Sequence, residues 1–174
     1  MGRAFCVSNL EGGLPYCPES KTRPKRGLEW LLETYMPETG KEPREEFPVI
    51  GTDEVPAVFF DGDKLLLCYE VAPIAGGGLA ILEFDDVLDF RVDPMNVDEL
   101  SDSPYPVSAW NITEICGSEK AARWAAMDAR YWSLSFTDMT LTVLFDTVRL
   151  AGRTREKRLP HEALKHFIGS SLAA

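Results

Sequence analysis

The sequence predicts a single α+β domain with a mainly antiparallel sheet of about six or seven strands. Three observations predict this class: short strand-like runs from residue 57 onward, two alternating runs between residues 131 and 150, and helix-period segments near both ends. At 174 residues, the chain is long enough to bury a core without disulfides or metals. Helices are expected near the start, before the last hairpin and at the C-terminus.

Residues 1–56 are expected to form an irregular extension with one short helix. Leu28, Leu31, Leu32 and Tyr35 recur at helical spacing, and Pro37 ends the pattern, which predicts a helix over residues 27–36. A Pro- and Glu-rich connector follows. The extension holds too little apolar material for a core of its own, so we expect it to belong to a single domain of residues 1–174.

The sheet core is predicted over residues 57–150. Residues 57–60 and 64–71 form a hairpin, because Asp61-Gly62 supplies the positive-φ tolerance of a tight turn. Residues 79–84 and 87–92 continue the meander as two more strands.

The second half of the sheet core is expected to hold a strand, a helix and a hairpin. A strand is predicted over residues 107–115, although its inner face is ambiguous. Ser118 is a good N-cap for an Ala-rich helix over residues 119–130. The last hairpin covers residues 131–150.

That hairpin has one wholly apolar face if its strands pair across Asp138-Met139. In this register the facing pairs are Trp132 with Phe145, Leu134 with Val143, and Phe136 with Leu141. The opposite face is rich in Ser and Thr, which is typical of a half-solvated antiparallel pair. Asp-Met is a poor two-residue turn, however, because Met does not favour positive φ.

The C-terminal region is predicted to contain a basic connector, residues 151–158, and a closing helix. Pro160 suits the first helical position and Gly169 suits the stop. Leu164, Phe167 and Ile168 form the apolar stripe of this helix.

Charge and composition exclude several classes of function. A formal net charge of −10 disfavours a nucleic-acid binder, since such proteins neutralise phosphates with clustered Lys and Arg. No apolar run approaches the length that spans a bilayer, and the N-terminus lacks the apolar segment of an export signal, so we expect a cytoplasmic protein without membrane association. The four cysteines show no paired spacing and are expected to be free thiols.

No motif indicates a cofactor, a metal or a catalytic group. His161 and His166 are five residues apart, whereas paired ligands on a helix need a spacing of three or four. The acids around Asp93 do not match a calcium loop. The triplet Gly76–Gly78 opens a strand, so it is interpreted as a flexible hairpin loop and not as a phosphate site.

The strongest functional candidate is an acidic tract over residues 83–102. It contains eight acids and one base, Arg91, which is a net charge of −7. Such a density favours the approach of a basic surface, and nearby apolar residues could anchor it; the alternative is a solvated sheet edge. The predicted partner-binding residues are Glu83, Asp85, Asp86, Asp89, Asp93, Asp98, Glu99, Asp102, Tyr105 and Trp110.

The sequence therefore predicts a non-enzymatic acidic protein that binds a basic protein partner, such as an immunity-type inhibitor of a bacterial toxin. A small enzyme with a cryptic carboxylate or cysteine site is one alternative, and a structural or assembly subunit is another. A homodimer is a further hypothesis, in which a basic cluster contacts the acidic tract of a second copy. That cluster contains Arg149, Arg153, Arg155, Lys157 and Arg158.

Overall fold

The computed structural model describes residues 38–94 and 107–171, all within one compact unit, Tyr35–Ala174. The predicted helix over residues 27–36 and residues 95–102 of the acidic tract lie outside the described residues. Within the described ranges the strands are β1 (Thr39–Lys41), β2 (Ala57–Phe60), β3 (Leu65–Glu70), β4 (Leu79–Asp85), β5 (Asp89–Asp93), β6 (Ile112–Cys116), β7 (Arg130–Ser135), β8 (Thr140–Phe145) and β9 (Thr147–Thr154). The α-helices there are α1 (Glu119–Ala122) and α2 (Pro160–Ser171).

The strands form two antiparallel sheets, with the orders β1-β6-β7-β8-β5 and β2-β3-β4-β9. The predicted mainly antiparallel α+β class agrees with this, but the predicted number of six or seven strands is wrong, since the described residues alone contain nine. Two strands account for much of the difference. β1 lies in the predicted extension, and β9 continues past Leu150 into the predicted connector and pairs with β4.

The predicted hairpin of β2 and β3 is confirmed. Asp61 stabilises the turn between β2 and β3, because its carboxylate accepts hydrogen bonds from the backbone N–H groups of Asp63 and Lys64 at 3.0 and 2.8 Å. The expected meander is wrong beyond β4, since β5 leaves that sheet and pairs with β8.

The main core lies between the two sheets. Alternating residues of β3 and β4, such as Leu67 and Phe84, pack against alternating residues of β7 and β8, such as Trp132 and Phe145. The ring centroids of Phe84 and Phe145 lie 4.8 Å apart, and those of Trp132 and Phe145 lie 5.1 Å apart, both edge to face. Each such side chain contributes about 1.5–3 kcal/mol through burial.

Helix α2 covers the outer face of the four-stranded sheet. Leu164, Phe167 and Ile168 pack against that face, which confirms the predicted stripe. Pro160 is the first helical residue, as predicted, but Gly169 does not end the helix, which continues to Ser171. Gly169 is exposed there, and nothing in its surroundings requires a left-handed stop.

The last hairpin pairs in a register two residues away from the predicted one. Trp132 lies opposite Val143, and Phe136 N–H donates to the carbonyl of Met139 at 2.8 Å, so the turn is Thr137-Asp138. Met139 is thereby buried instead of occupying the turn. The six predicted apolar residues still share the core face, because a shift by an even number preserves the faces.

The opposite face of this hairpin is buried, so the prediction that it is half solvated is wrong. Ser133 and Ser135 are fully buried, and Thr140 and Thr142 are 6% exposed. Among the described residues, the hydroxyls of Ser133, Ser135 and Thr140 find no hydrogen-bond partner.

Two further predictions hold only in part. The predicted strand over residues 107–115 is shorter, because β6 begins at Ile112, whose side chain faces the main core. Ser118 caps α1 by accepting from the N–H of Lys120, as predicted, but α1 ends at Ala122 and a 3₁₀ turn follows over Ala125–Met127. Neither α1 nor the 3₁₀ turn contains a buried residue, so no burial of side chains stabilises a longer helix here.

Candidate partner-binding site

The described acids of the tract lie on two opposite faces of the molecule. Glu83 and Asp85 alternate with the core residue Phe84, so they lie on the outer face of the four-stranded sheet. Asp89 and Asp93 alternate with Phe90 and lie on the outer face of the five-stranded sheet. The tract therefore does not form one continuous surface there.

The remaining predicted site residues fall in three places. Asp86 lies at the corner between the sheets, with φ of 52°, and is exposed. Trp110 precedes β6. Asp98, Glu99, Asp102 and Tyr105 lie outside the described residues, and their role stays a prediction.

Glu83 is nearly buried and is held by two cations. Its carboxylate accepts from Lys64 Nζ at 3.0 Å and from an Arg149 guanidinium nitrogen at 2.7 Å. Lys64 also pairs with Asp85 at 2.7 Å. Burial acts to raise the pKa of Glu83, but the hydrogen bonds from Arg149 and Lys64 outweigh it, so this pKa lies below its usual value.

A cavity of about 420 Å³ adjoins this network, with Phe59 and Phe167 among its lining residues. The cavity is lined by two acids and two bases, so its lining carries little net charge. These residues are Asp61, Glu83, Lys64 and Arg149. We assign the network to stability, because it provides hydrogen-bond partners for the nearly buried carboxylate of Glu83.

The acids of β5 are also paired. Asp89 forms an ion pair with Lys120 of α1, and Asp93 pairs with Arg91 at 2.6 Å. Lys120 Nζ also lies 5.0 Å from the centroid of the Tyr131 ring. Pairing lowers the long-range field of these acids, which weakens their expected contribution to attracting a basic partner.

Trp110 is held in a constrained and partly exposed position. Its backbone is left-handed, with φ of 51°, and its side chain is 38% exposed. The indole N–H donates to Thr137 Oγ1 at 3.2 Å, and the Thr137 hydroxyl donates to the Thr52 carbonyl at 2.9 Å. The hydrogen bonds fix the indole while leaving part of its surface open to solvent.

Trp110 lines a groove of about 380 Å³ whose other wall is the segment of residues 42–50. The titratable residues lining the groove are Glu42, Glu45 and Glu46. Glu45 bonds Arg130 at 2.5 and 2.9 Å, and the hydrogen bond from Arg130 lowers the pKa of that carboxyl. Among residues 38–94 and 107–171, Glu42 and Glu46 form no ion pair, and Arg44 lies close enough to act electrostatically on Glu45.

One edge of the groove can be placed relative to strand β5, because Asn111 lines the groove. Asp93 is opposite Thr140, Thr140 is opposite Ser135, and the Ser135 N–H donates to the Asn111 carbonyl at 3.0 Å. These residues form one row across the sheet, with Asp93 and Asn111 about 14 Å apart at the usual strand spacing. The end of β5 at Asp93 therefore lies at the same end of the sheet as Asn111.

The three glutamates were not predicted as site residues. They lie in the connector that the sequence indicated to be irregular. The one signal that could have indicated them is their proximity in the sequence to the apolar residues Phe47 and Val49. The groove requires contact with Trp110, more than sixty positions along the chain, which no local pattern predicts.

The residues weighed for catalysis lie elsewhere. Cys68 is buried under α2, and burial raises the pKa of its thiol to about 12, so the thiolate is scarcely populated at neutral pH. His161 and His166 are exposed on α2. No group of three or more His, Cys, Asp or Glu among the described residues is placed to hold a metal ion.

The chain matches no protein-family model, no curated protein and no solved structure. Across residues 38–94 and 107–171, no helix is long and apolar enough to cross a membrane.

Proposed function

We propose that this protein binds a basic protein partner and is not an enzyme. The observation that carries the proposal is the groove at Trp110, where an exposed and hydrogen-bonded indole lies beside carboxylates that form no ion pair with another described residue. Protein interfaces combine aromatic anchors with charges that steer association, and this groove offers both.

The overall charge supports the same proposal. The net charge of −10 raises the encounter rate with a basic protein and lowers it with an acidic one. An immunity-type inhibitor of a bacterial toxin is a narrower form of the proposal, in which the acidic surface replaces an anionic substrate on the toxin.

The proposal is tested by capture of the tagged full-length protein from its native cell, with quantitative mass spectrometry. We expect one basic protein in near-equal amount, and an association rate that falls as salt is raised. Repeated recovery of the tagged protein alone, or a partner whose association is independent of salt, contradicts the proposal.

Charge-reversal variants locate the steering charges. The triple variant Asp93→Lys, Asp98→Lys and Asp102→Lys is expected to associate more slowly and with a weaker salt dependence. The control Asp63→Lys, Glu119→Lys and Glu156→Lys changes the net charge equally at exposed positions outside the tract. Equal effects of the two triple variants would show that the association rate depends only on the net charge of the protein and not on charges in the acidic tract.

A further inference from the structure

We infer that the groove at Trp110 binds one arginine side chain of the partner, with the guanidinium stacked on the indole and bonded to Glu42 and Glu46. The inference rests on the proposed function and names the residue type that this groove recognises. It involves no covalent step.

The charge of the groove selects a cation. Glu42, Glu45 and Glu46 line it, and no Lys, Arg or His among the described residues does so. Arg130 compensates Glu45. Among the described residues, Glu42 and Glu46 form no ion pair and are available to an incoming cation, whereas an anionic side chain would meet repulsion from both.

The apolar lining selects a side chain with a hydrocarbon stem. Phe47, Pro48 and Val49 line the groove with Trp110, and Val49 is 53% exposed. A long basic side chain covers such a surface with its methylene groups while its charged head reaches the carboxylates. A volume of about 380 Å³ accommodates one such side chain with some water.

Arginine fits these features better than lysine. A planar guanidinium stacks on an indole and presents a fork of donors to two carboxylates, whereas an ammonium is a more strongly hydrated point charge. The preference is one of degree, because both side chains are cations with apolar stems.

The groove is held in place before a ligand arrives. The ring of Phe47 packs edge to face on Trp132 at 5.7 Å between centroids. Glu45 is bonded to Arg130, and Trp110 is bonded to Thr137. Groups that are already ordered lose little entropy on binding, so this surface is suited to a small anchor.

The test uses three capped hexapeptides that differ only in two central residues: Gly-Ser-Arg-Arg-Ser-Gly, its Lys-Lys counterpart and its citrulline counterpart, which keeps the shape of arginine without the charge. Titration calorimetry with the full-length protein at low salt measures each dissociation constant. We expect the arginine peptide to bind, the lysine peptide to bind about fivefold more weakly, and the citrulline peptide to show no measurable binding.

Variants of the protein locate the binding site. Trp110→Ala is expected to raise the dissociation constant of the arginine peptide about fivefold, and Glu42→Gln with Glu46→Gln about tenfold. The matched controls are Trp124→Ala, an exposed tryptophan elsewhere, and Glu119→Gln with Glu156→Gln. Both controls should leave binding within about twofold. If Trp110→Ala fails to fold, the site is tested by the affinity of the arginine peptide for the variant Glu42→Gln with Glu46→Gln, whose two positions are exposed.

The outcomes separate this inference from the proposed function. Absence of arginine-peptide binding, equal binding of the citrulline peptide, or equal effects of the groove and control variants overturns the arginine site. If a basic partner is captured and its affinity is unchanged by the groove variants, the proposed function stands and the arginine site is wrong. Failure to capture a basic partner counts against the proposed function itself, whatever the peptides show.

Discussion

The Arg130 guanidinium lies 4.8 Å from the centroid of the Trp132 ring, at the end of the core between the two sheets. The same guanidinium bonds Glu45 and Glu114. Burial acts to lower the pKa of Arg130, but the two carboxylates outweigh it and raise this pKa above its usual value. One cation thus joins the segment before β2 to strands β6 and β7, beside the wall of the groove at Trp110.

Replacement of Arg130 by Met should lower the free energy of unfolding by about 2–3 kcal/mol, because two carboxylates lose their shared cation. Urea denaturation measures the change. Arg123→Met is the control, since its ion pair with Glu119 is exposed to solvent and should contribute little to the free energy of unfolding. Equal losses in the two variants would show that Arg130 is no more important than a surface charge.

The register of the last hairpin can be tested with engineered disulfides. Ser135 lies opposite Thr140 in a pair without mutual hydrogen bonds, where Cα atoms are about 4.5 Å apart and a disulfide fits. Ser135→Cys with Thr140→Cys should therefore link under mild oxidation, as peptide mapping by mass spectrometry would show. Ser135→Cys with Thr142→Cys joins a diagonal pair about 7–8 Å apart and should link poorly. The opposite result would favour the register predicted from the sequence.

The loop between β3 and β4 provides a matched pair of glycines. Gly77 and Gly78 have φ of 62° and 85°, so alanine is disfavoured at both. A Cβ at Gly77 meets nothing, whereas one at Gly78 collides with the backbone carbonyl of Thr154. We expect a loss of stability of about 1 kcal/mol for Gly77→Ala and about 3 kcal/mol or more for Gly78→Ala, measured by thermal or urea unfolding. Equal losses would contradict the close approach of β9 to this loop.

The pKa of Glu83 makes stability depend on pH in a defined direction. The unfolded chain has the ordinary value of 4.5 and the folded value is lower, so the stabilisation is present above 4.5 and is lost as pH falls through the folded pKa. The free energy of unfolding of the native protein should therefore fall more steeply below pH 4.5 than that of Glu83→Gln. Urea denaturation at a series of pH values compares the two slopes. Parallel curves would mean that Lys64 and Arg149 do not stabilise this carboxylate.

Several features of the fold were predictable because short-range patterns determine them. The hairpin of β2 and β3 follows from Asp61-Gly62 between two apolar runs, and α2 follows from Pro160 and a stripe at helical spacing. The apolar face of the last hairpin follows from strict alternation. Its register did not follow, because pairings two residues apart place the same side chains on the same faces. Burial of Met139 decides between them in the folded protein.

The groove at Trp110 shows where the sequence was insufficient. Trp110 was among the residues predicted to bind a basic partner, whereas Glu42, Glu45 and Glu46 were not. The sequence placed the site in the acidic tract, whereas the described acids of that tract are divided between two sheets and mostly paired with nearby cations. Periodicity and turn residues thus determined most of the individual elements and the chemical character of the surface. Tertiary structure alone decided the pairing of the sheets, which charges are compensated and which residues meet at the groove, because those depend on contacts between distant segments that no local pattern records.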